Sequence, residues 1–128
     1  DFSPVRPELC KEYPTNYCIR QQINGKFSIR TYIDMPESTC IAFASRYVDE
    51  DFHSFDEYVQ SSLEDFLNLH NGLFNVNMSN EQGLELQLDV PNVVTDELVT
   101  FEHEAYMLPI VYSFGTIHFI FELIHNEL

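Results

Sequence analysis

Between Phe52 and His70, apolar residues recur at helical spacing. Phe52, Phe55, Val59, Leu63, Phe66 and Leu67, with Ser62 and His70, form one stripe. The opposite side carries Asp56, Glu57, Gln60, Glu64, Asp65 and Asn68. Ser54 followed by Glu57 reads as a capping box, and Asp49, Glu50, Asp51 and Asp56 suit the positive end of the helix dipole. Asn71-Gly72 supplies a left-handed stop. The pattern predicts one amphipathic helix ending near His70, whose imidazolium would then sit favourably at the helix C-terminus.

Elsewhere the period is two. Asn24-Gly25 is a signal for a two-residue hairpin turn of type I′, so Cys18–Ile23 and Lys26–Ile33 are expected to pair. Thr39–Tyr47 reads as a further strand after the break at Met35–Ser38. In 83–90, Leu84, Leu86, Leu88 and Val90 alternate with Glu85, Gln87 and Asp89, and Pro91 ends the run. Residues 98–104 place Glu102 and Glu104 on one face and His103 on the other. Two apolar runs, 108–114 and 116–124, flank Gly115 as a hairpin. Residues 1–16, with three of the six prolines, read as an irregular N-terminal arm. The expected fold class is α+β: one domain over residues 1–128, a curved, mostly antiparallel sheet with one long helix packed on it.

Composition supports a real core, since 45% of the 128 residues are hydrophobic and eleven Phe and seven Tyr supply large side chains. No apolar run reaches membrane-spanning length, so no membrane association is expected. Three cysteines, Cys10, Cys18 and Cys40, make no disulfide framework. One bridge plus a thiol, or three thiols, both remain open, as do compartment and oligomeric state.

Charge changes the picture most. All six basic residues lie in the first 46 positions, beside five carboxylates, and sixteen carboxylates follow with no Lys or Arg among them. Average usage would place roughly ten cations in such a stretch. A net charge of −15 disfavours nucleic acid and anionic lipid as partners and favours a cationic surface. Solubility accounts for the same charge nearly as well. The exposed carboxylates expected to meet a partner are Asp56, Glu57, Glu64 and Asp65 on the helix, and Glu85, Asp89, Glu102 and Glu104 on strands. If the two strands were neighbours, their rows would make one acidic patch.

No CxxC, HExxH, GxSxG, phosphate-binding loop or GxGxxG occurs. Glu102-His103-Glu104 cannot converge on one metal from alternating faces, and His118 and Glu122 are two pleats apart. No catalytic residue, metal or cofactor is therefore expected. The function expected is that of an acidic, non-enzymatic binding module. It would be an inhibitor or immunity-type protein neutralising a basic surface, such as a toxin or a nucleic-acid-binding protein, by mimicry of a nucleic-acid backbone among other means. The alternative is a small-molecule-binding domain for lipophilic cations.

One stretch resembles the gyrase-inhibitor-like (effector-binding) domain family over residues 33–109. The resembling pieces are Met35-Pro36-Glu37-Ser38-Thr39-Cys40-Ile41-Ala42-Phe43, the helix with Asn71-Gly72-Leu73, Asp89-Val90-Pro91, and Phe101-Glu102-His103-Glu104-Ala105. The family's second βαββ half has no counterpart here. The resemblance implies an acidic, non-enzymatic binder of lipophilic cations or protein targets. Arg6–Cys10, Arg30-x-Tyr32-x-Asp34 before Cys40-x-x-Phe43, and Phe52-x-Ser54 are similar to pieces of Kunitz inhibitors, but the cysteine framework of that family is missing.

Overall fold

The computed structural model describes the backbone of residues 2–4 and 6–126 and the side-chain environments of residues 6–124. The chain runs β1 (Phe2–Pro4), β2 (Glu8–Pro14), β3 (Tyr17–Asn24), β4 (Phe27–Met35), α1 (Glu37–Val48), α2 (Glu57–Gln82), β5 (Gln87–Leu88), β6 (Asn92–Val94), β7 (Leu98–Tyr112) and β8 (Gly115–Asn126). The strands form one sheet ordered β1-β7-β8-β4-β3-β5, with β2 also on β7 and β6 also on β3. Every pairing is antiparallel. The fold is α+β in a single domain, with a curved antiparallel sheet and one long helix, as the pattern predicts.

Four local readings are corrected. Residues 1–16 are not an irregular arm: they hold β1 and β2, which pair with β7, while Asp1 and Val5 lie outside the described residues. Thr39–Tyr47 is helical, not extended. Its apolar run fits both periods, but Cys40 and Ala44, four apart, are the buried pair, and Pro36 and Glu37 suit a helix start. Asp49, at φ 56°, ends α1.

The third correction concerns α2, whose 26 residues make it about 39 Å long. Asp56, not Ser54, is its cap, with Oδ1 accepting from the N–H of Tyr58 (3.0 Å) and Val59 (2.9 Å). The helix passes through Asn71-Gly72 and stops at Gly83, φ 68°. Asn71 is bound sideways into the core, and a helical backbone keeps it there. His70 is consequently mid-helix, 5.7 Å from the ring of Phe119, and not at a C-terminus. The fourth is the hairpin turn. Register Ile23↔Ile29 centres it on Lys26, and neither Asn24 nor Gly25 has positive φ, so it is not type I′. Gly25 serves close approach: a Cβ there would stand 2.5 Å from Leu86 Cδ2.

Strand alternation divides the core. Ile19, Ile33, Met35 and Ile117 face the helices and meet Cys40, Ala44, Val59, Leu63 and Leu67. Cys18, Tyr32 and Ile120 face the other way and pack with Val94, Phe101 and Ala105. Among the described residues one ion pair spans the charge break: Arg30 Nη1 lies 3.5 Å from Glu122 Oε1, a carboxylate that is 3% exposed and also accepts from the His103 N–H at 3.1 Å.

Candidate functional site

The helix-facing side of β3 reads Ile19, Gln21, Ile23, and the buried stripe of α2 reads Val59, Leu63, Leu67, Asn71. Each row contains one amide where an apolar residue is expected. A buried amide is stable only with its donors and acceptors satisfied, and these two satisfy each other. Asn71 Nδ2 donates to Gln21 Oε1 (2.9 Å) and to Thr31 Oγ1 (2.9 Å). Thr31 Oγ1 donates to the carbonyl of Gln21 at 2.7 Å. Gln21 Nε2 donates to the carbonyl of Asp89 (2.8 Å) and to Asn68 Oδ1 (2.7 Å).

Asn68 is thus an exposed side chain anchored from below. Three positions earlier on the same face stands Asp65, also exposed, at a spacing that places Cβ atoms about 5–6 Å apart. Glu64, the other carboxylate within a turn of Asn68, is engaged by Gln60 Nε2 at 3.2 Å. The pair Asp65/Asn68 therefore presents an acceptor and a fixed amide side by side on an open helix surface. The loop from Asp89 to Asn92 is held beside it, through the Gln21 bond and through the Asp89 N–H, which donates to the carbonyl of Gln22 at 3.0 Å.

The eight carboxylates read from the sequence do not form one surface. Asp56, Glu57, Glu64 and Asp65 share α2. Glu85 precedes β5 and accepts from Ser79 Oγ at 3.0 Å, and Asp89 follows β5. Glu102 and Glu104 lie on β7, separated from β5 by β8, β4 and β3, so the two strand rows are not neighbours. Residues 83–90 are strand only at Gln87–Leu88, because that segment wraps the turn at Gly25 instead of pairing along its length.

An apolar groove runs beside α2, lined by Phe66, His70, Leu108, Ile110, Phe119 and Phe121 among others, with no carboxylate in its lining. It has nothing to neutralise a cationic ligand. Among the described residues no three His, Cys, Asp or Glu converge as a metal site. The three cysteines are free thiols.

A family model, that of the chemotaxis phosphatase CheX, matches residues 17–115. The chain belongs to the CheX family. Its fold is similar to the chemotaxis protein CheX from Desulfovibrio desulfuricans (15% identity, 96% of this chain and 85% of that one, TM-score 0.82). It is also similar to CheX from Vibrio vulnificus (15%, 97% and 86%, 0.80). A third likeness is to a CheX–CheY–BeF3–Mg2+ complex from Borrelia burgdorferi (16%, 95% and 83%, 0.74). No match was found among curated protein sequences.

Membership in CheX overturns the functional expectations. The family is one of phosphatases, so the reading as a non-enzymatic inhibitor, immunity protein or nucleic-acid mimic is wrong, and so is the lipophilic-cation alternative. The resemblance to gyrase-inhibitor-like domains fails as well, and its opening strand at Thr39–Phe43 is helix α1. The expectation of a basic toxin or nucleic-acid-binding partner falls with it, since it rested on the reading as an inhibitor and not on membership in a family of chemotaxis phosphatases. Negative charge describes which surfaces are repelled; it carries no information about the shape or chemistry of the one that is bound.

Asp65 appeared among the sequence-derived candidates as one charge among many. The sequence pattern places Asn68 only on the polar face of the helix and gives Gln21 no role. The available signal was an amide interrupting each of two apolar rows.

Proposed function

We propose that this chain hydrolyses the phosphoryl group of a phosphorylated CheY-type protein, using Asp65 and Asn68 on the exposed face of α2. The reading is supported by CheX family membership, by the CheY partner of a similar structure, and by an anchored amide beside a free carboxylate. A phosphatase must bring one water in line with the phosphorus and stabilise the charge spreading over the phosphoryl oxygens. Asp65 accepts a proton from that water as its oxygen bonds to phosphorus. The bond from phosphorus to the partner's oxygen breaks, and inorganic phosphate leaves. Asn68, whose carbonyl oxygen is occupied by Gln21, offers its N–H groups to the phosphoryl oxygen or to the water. Ser61 and Glu64 border the pair, and the contact surface runs on to Glu57 and Asp56, two turns nearer the helix N-terminus, and takes in Asp89. Glu85, Glu102 and Glu104 lie outside it. No step is assigned to the metal named in the Borrelia complex.

The test is phosphate release from phosphorylated CheY. Asp65→Asn should lower the rate by roughly 10²–10⁴-fold and Asn68→Ala by roughly 10²–10³-fold, with CheY binding retained. Full activity in both variants would refute the assignment.

A further inference from the structure

Resting on that reading, we infer that Gln21, buried beneath the site, is a positioning residue that sets which end of the Asn68 amide faces the substrate. The two ends of a carboxamide are nearly identical in shape but opposite in hydrogen-bonding sense. An exposed asparagine with no fixed partner would turn either end outward. Here the choice is dictated from the backbone. The carbonyl of Asp89 can only accept, so the Gln21 group 2.8 Å from it must be the Nε2 amide nitrogen. That leaves Gln21 Oε1 toward Asn71, which must present Nδ2 at 2.9 Å. The second Asn71 proton goes to Thr31 Oγ1 (2.9 Å), an acceptor because its own proton is committed to the carbonyl of Gln21. The second Gln21 proton then points at Asn68, 2.7 Å away, and that atom must be Oδ1. The outward atom is Nδ2, a donor.

The assignment agrees with what the chemistry needs. Asp65 already supplies an acceptor, and a second acceptor beside it would repel phosphoryl oxygens. A donor complements both the water oxygen and the phosphoryl group. Gln21 is 1% exposed and comes from a strand, 47 residues from Asn68, so it acts through Asn68 and not on the substrate.

The experiment is a double-mutant cycle on the full chain with phosphorylated CheY as substrate. Gln21→Met keeps the volume and removes both donors. It should lower kcat roughly 10- to 100-fold, with KM and affinity for CheY–BeF3 changed less than threefold. Combined with Asn68→Ala it should add nothing further, because both act through one amide. Ile120→Ala, a core variant on the face of the sheet away from the helices, controls for lost stability and should keep kcat within twofold per folded molecule. In Gln21→Glu, which can only accept when ionised, the Asn68 Nδ2 protons should turn inward and exchange more slowly by NMR. Multiplicative losses in Gln21→Met and Asn68→Ala, or a Gln21→Met enzyme of normal kcat beside an inactive Asn68→Ala, would overturn the inference alone. An active Asn68→Ala would overturn it together with the site assignment.

Discussion

The hydroxyl of Tyr13 donates to Asp34 Oδ2 at 2.9 Å, tying β2 to β4 across the face of the sheet away from the helices. Asp34 is fully buried and also accepts from the Asn16 N–H at 2.8 Å and the Asn16 side-chain amide at 3.3 Å. Burial nevertheless wins over these donors and over nearby His118, and the carboxyl is held above its ordinary value of 3.8. The folded state then binds this proton more tightly than the unfolded state. The stability Asp34 contributes is full below pH 3.8, falls as pH rises through its folded pKa, and is level beyond. Urea unfolding of the wild type and Asp34→Asn between acid and neutral pH should show the wild type gaining on the variant as pH falls. A gap moving the other way would contradict this. Asp34→Ala, which strands the Tyr13 hydroxyl and the Asn16 N–H, should cost about 1–3 kcal/mol per unpaired group that stays buried.

The thiols should be inert. Desolvation first, and the Asp34 charge second, push Cys18 up to about 12; Cys40 is raised to about 12 by the same two effects. At pH 8 a thiol with such a pKa is thiolate to only about one part in 10⁴. Native protein treated with a thiol reagent at pH 8 should leave Cys18 and Cys40 unmodified over minutes, and both should react at once in urea. Cys10 is half-buried and also raised, mainly by desolvation, so it should react slowly.

Gly115 opens β8 at φ 142°, a backbone conformation that side chains rarely adopt, and a Cβ there would run into the side chain of Thr39 on α1. Gly115→Ala should cost about 1–3 kcal/mol by thermal or chemical unfolding. Adding Thr39→Ala should recover the part due to the collision and leave the part due to backbone strain.

Leu63 and Leu73 lie on the same helix but in different environments, 0% and 59% exposed. Leu63→Ala should cost about 2–5 kcal/mol through the cavity it opens. Leu73→Ala should fall within about 0.5 kcal/mol of wild type. Unfolding midpoints in urea compare the two directly, and equal effects would place α2 differently on the sheet.

Elements with a clear period were legible in sequence even where their end signals misled: the helix stripe from Val59, the pairing of β3 with β4, and the β7–β8 hairpin, whose turn is Ser113-Phe114 with Gly115 opening β8. Errors arose where local signals had a rival. Cys40–Phe43 is apolar enough for a strand or a helix, and only burial of Cys40 and Ala44 against α2 selects the helix. Asn71-Gly72 is a sound local stop, overridden because the side chain of Asn71 finds Gln21 and Thr31 in the sheet. Leu84–Val90 alternates cleanly yet pairs only at Gln87–Leu88, since strand pairing depends on a neighbour that alternation does not supply.

The sequence by itself determined the class of fold, the long helix and the polar face that holds Asp65 and Asn68. It did so because these follow from the spacing of apolar residues over a few turns. Tertiary structure decided which polar residues act together. Asn68 is fixed by Gln21, Gln21 by the carbonyl of Asp89, and Asn71 by Thr31, links spanning 40 to 68 residues. Such bonds depend on where β3, β4 and α2 meet, and no local pattern of charge or hydropathy records that meeting.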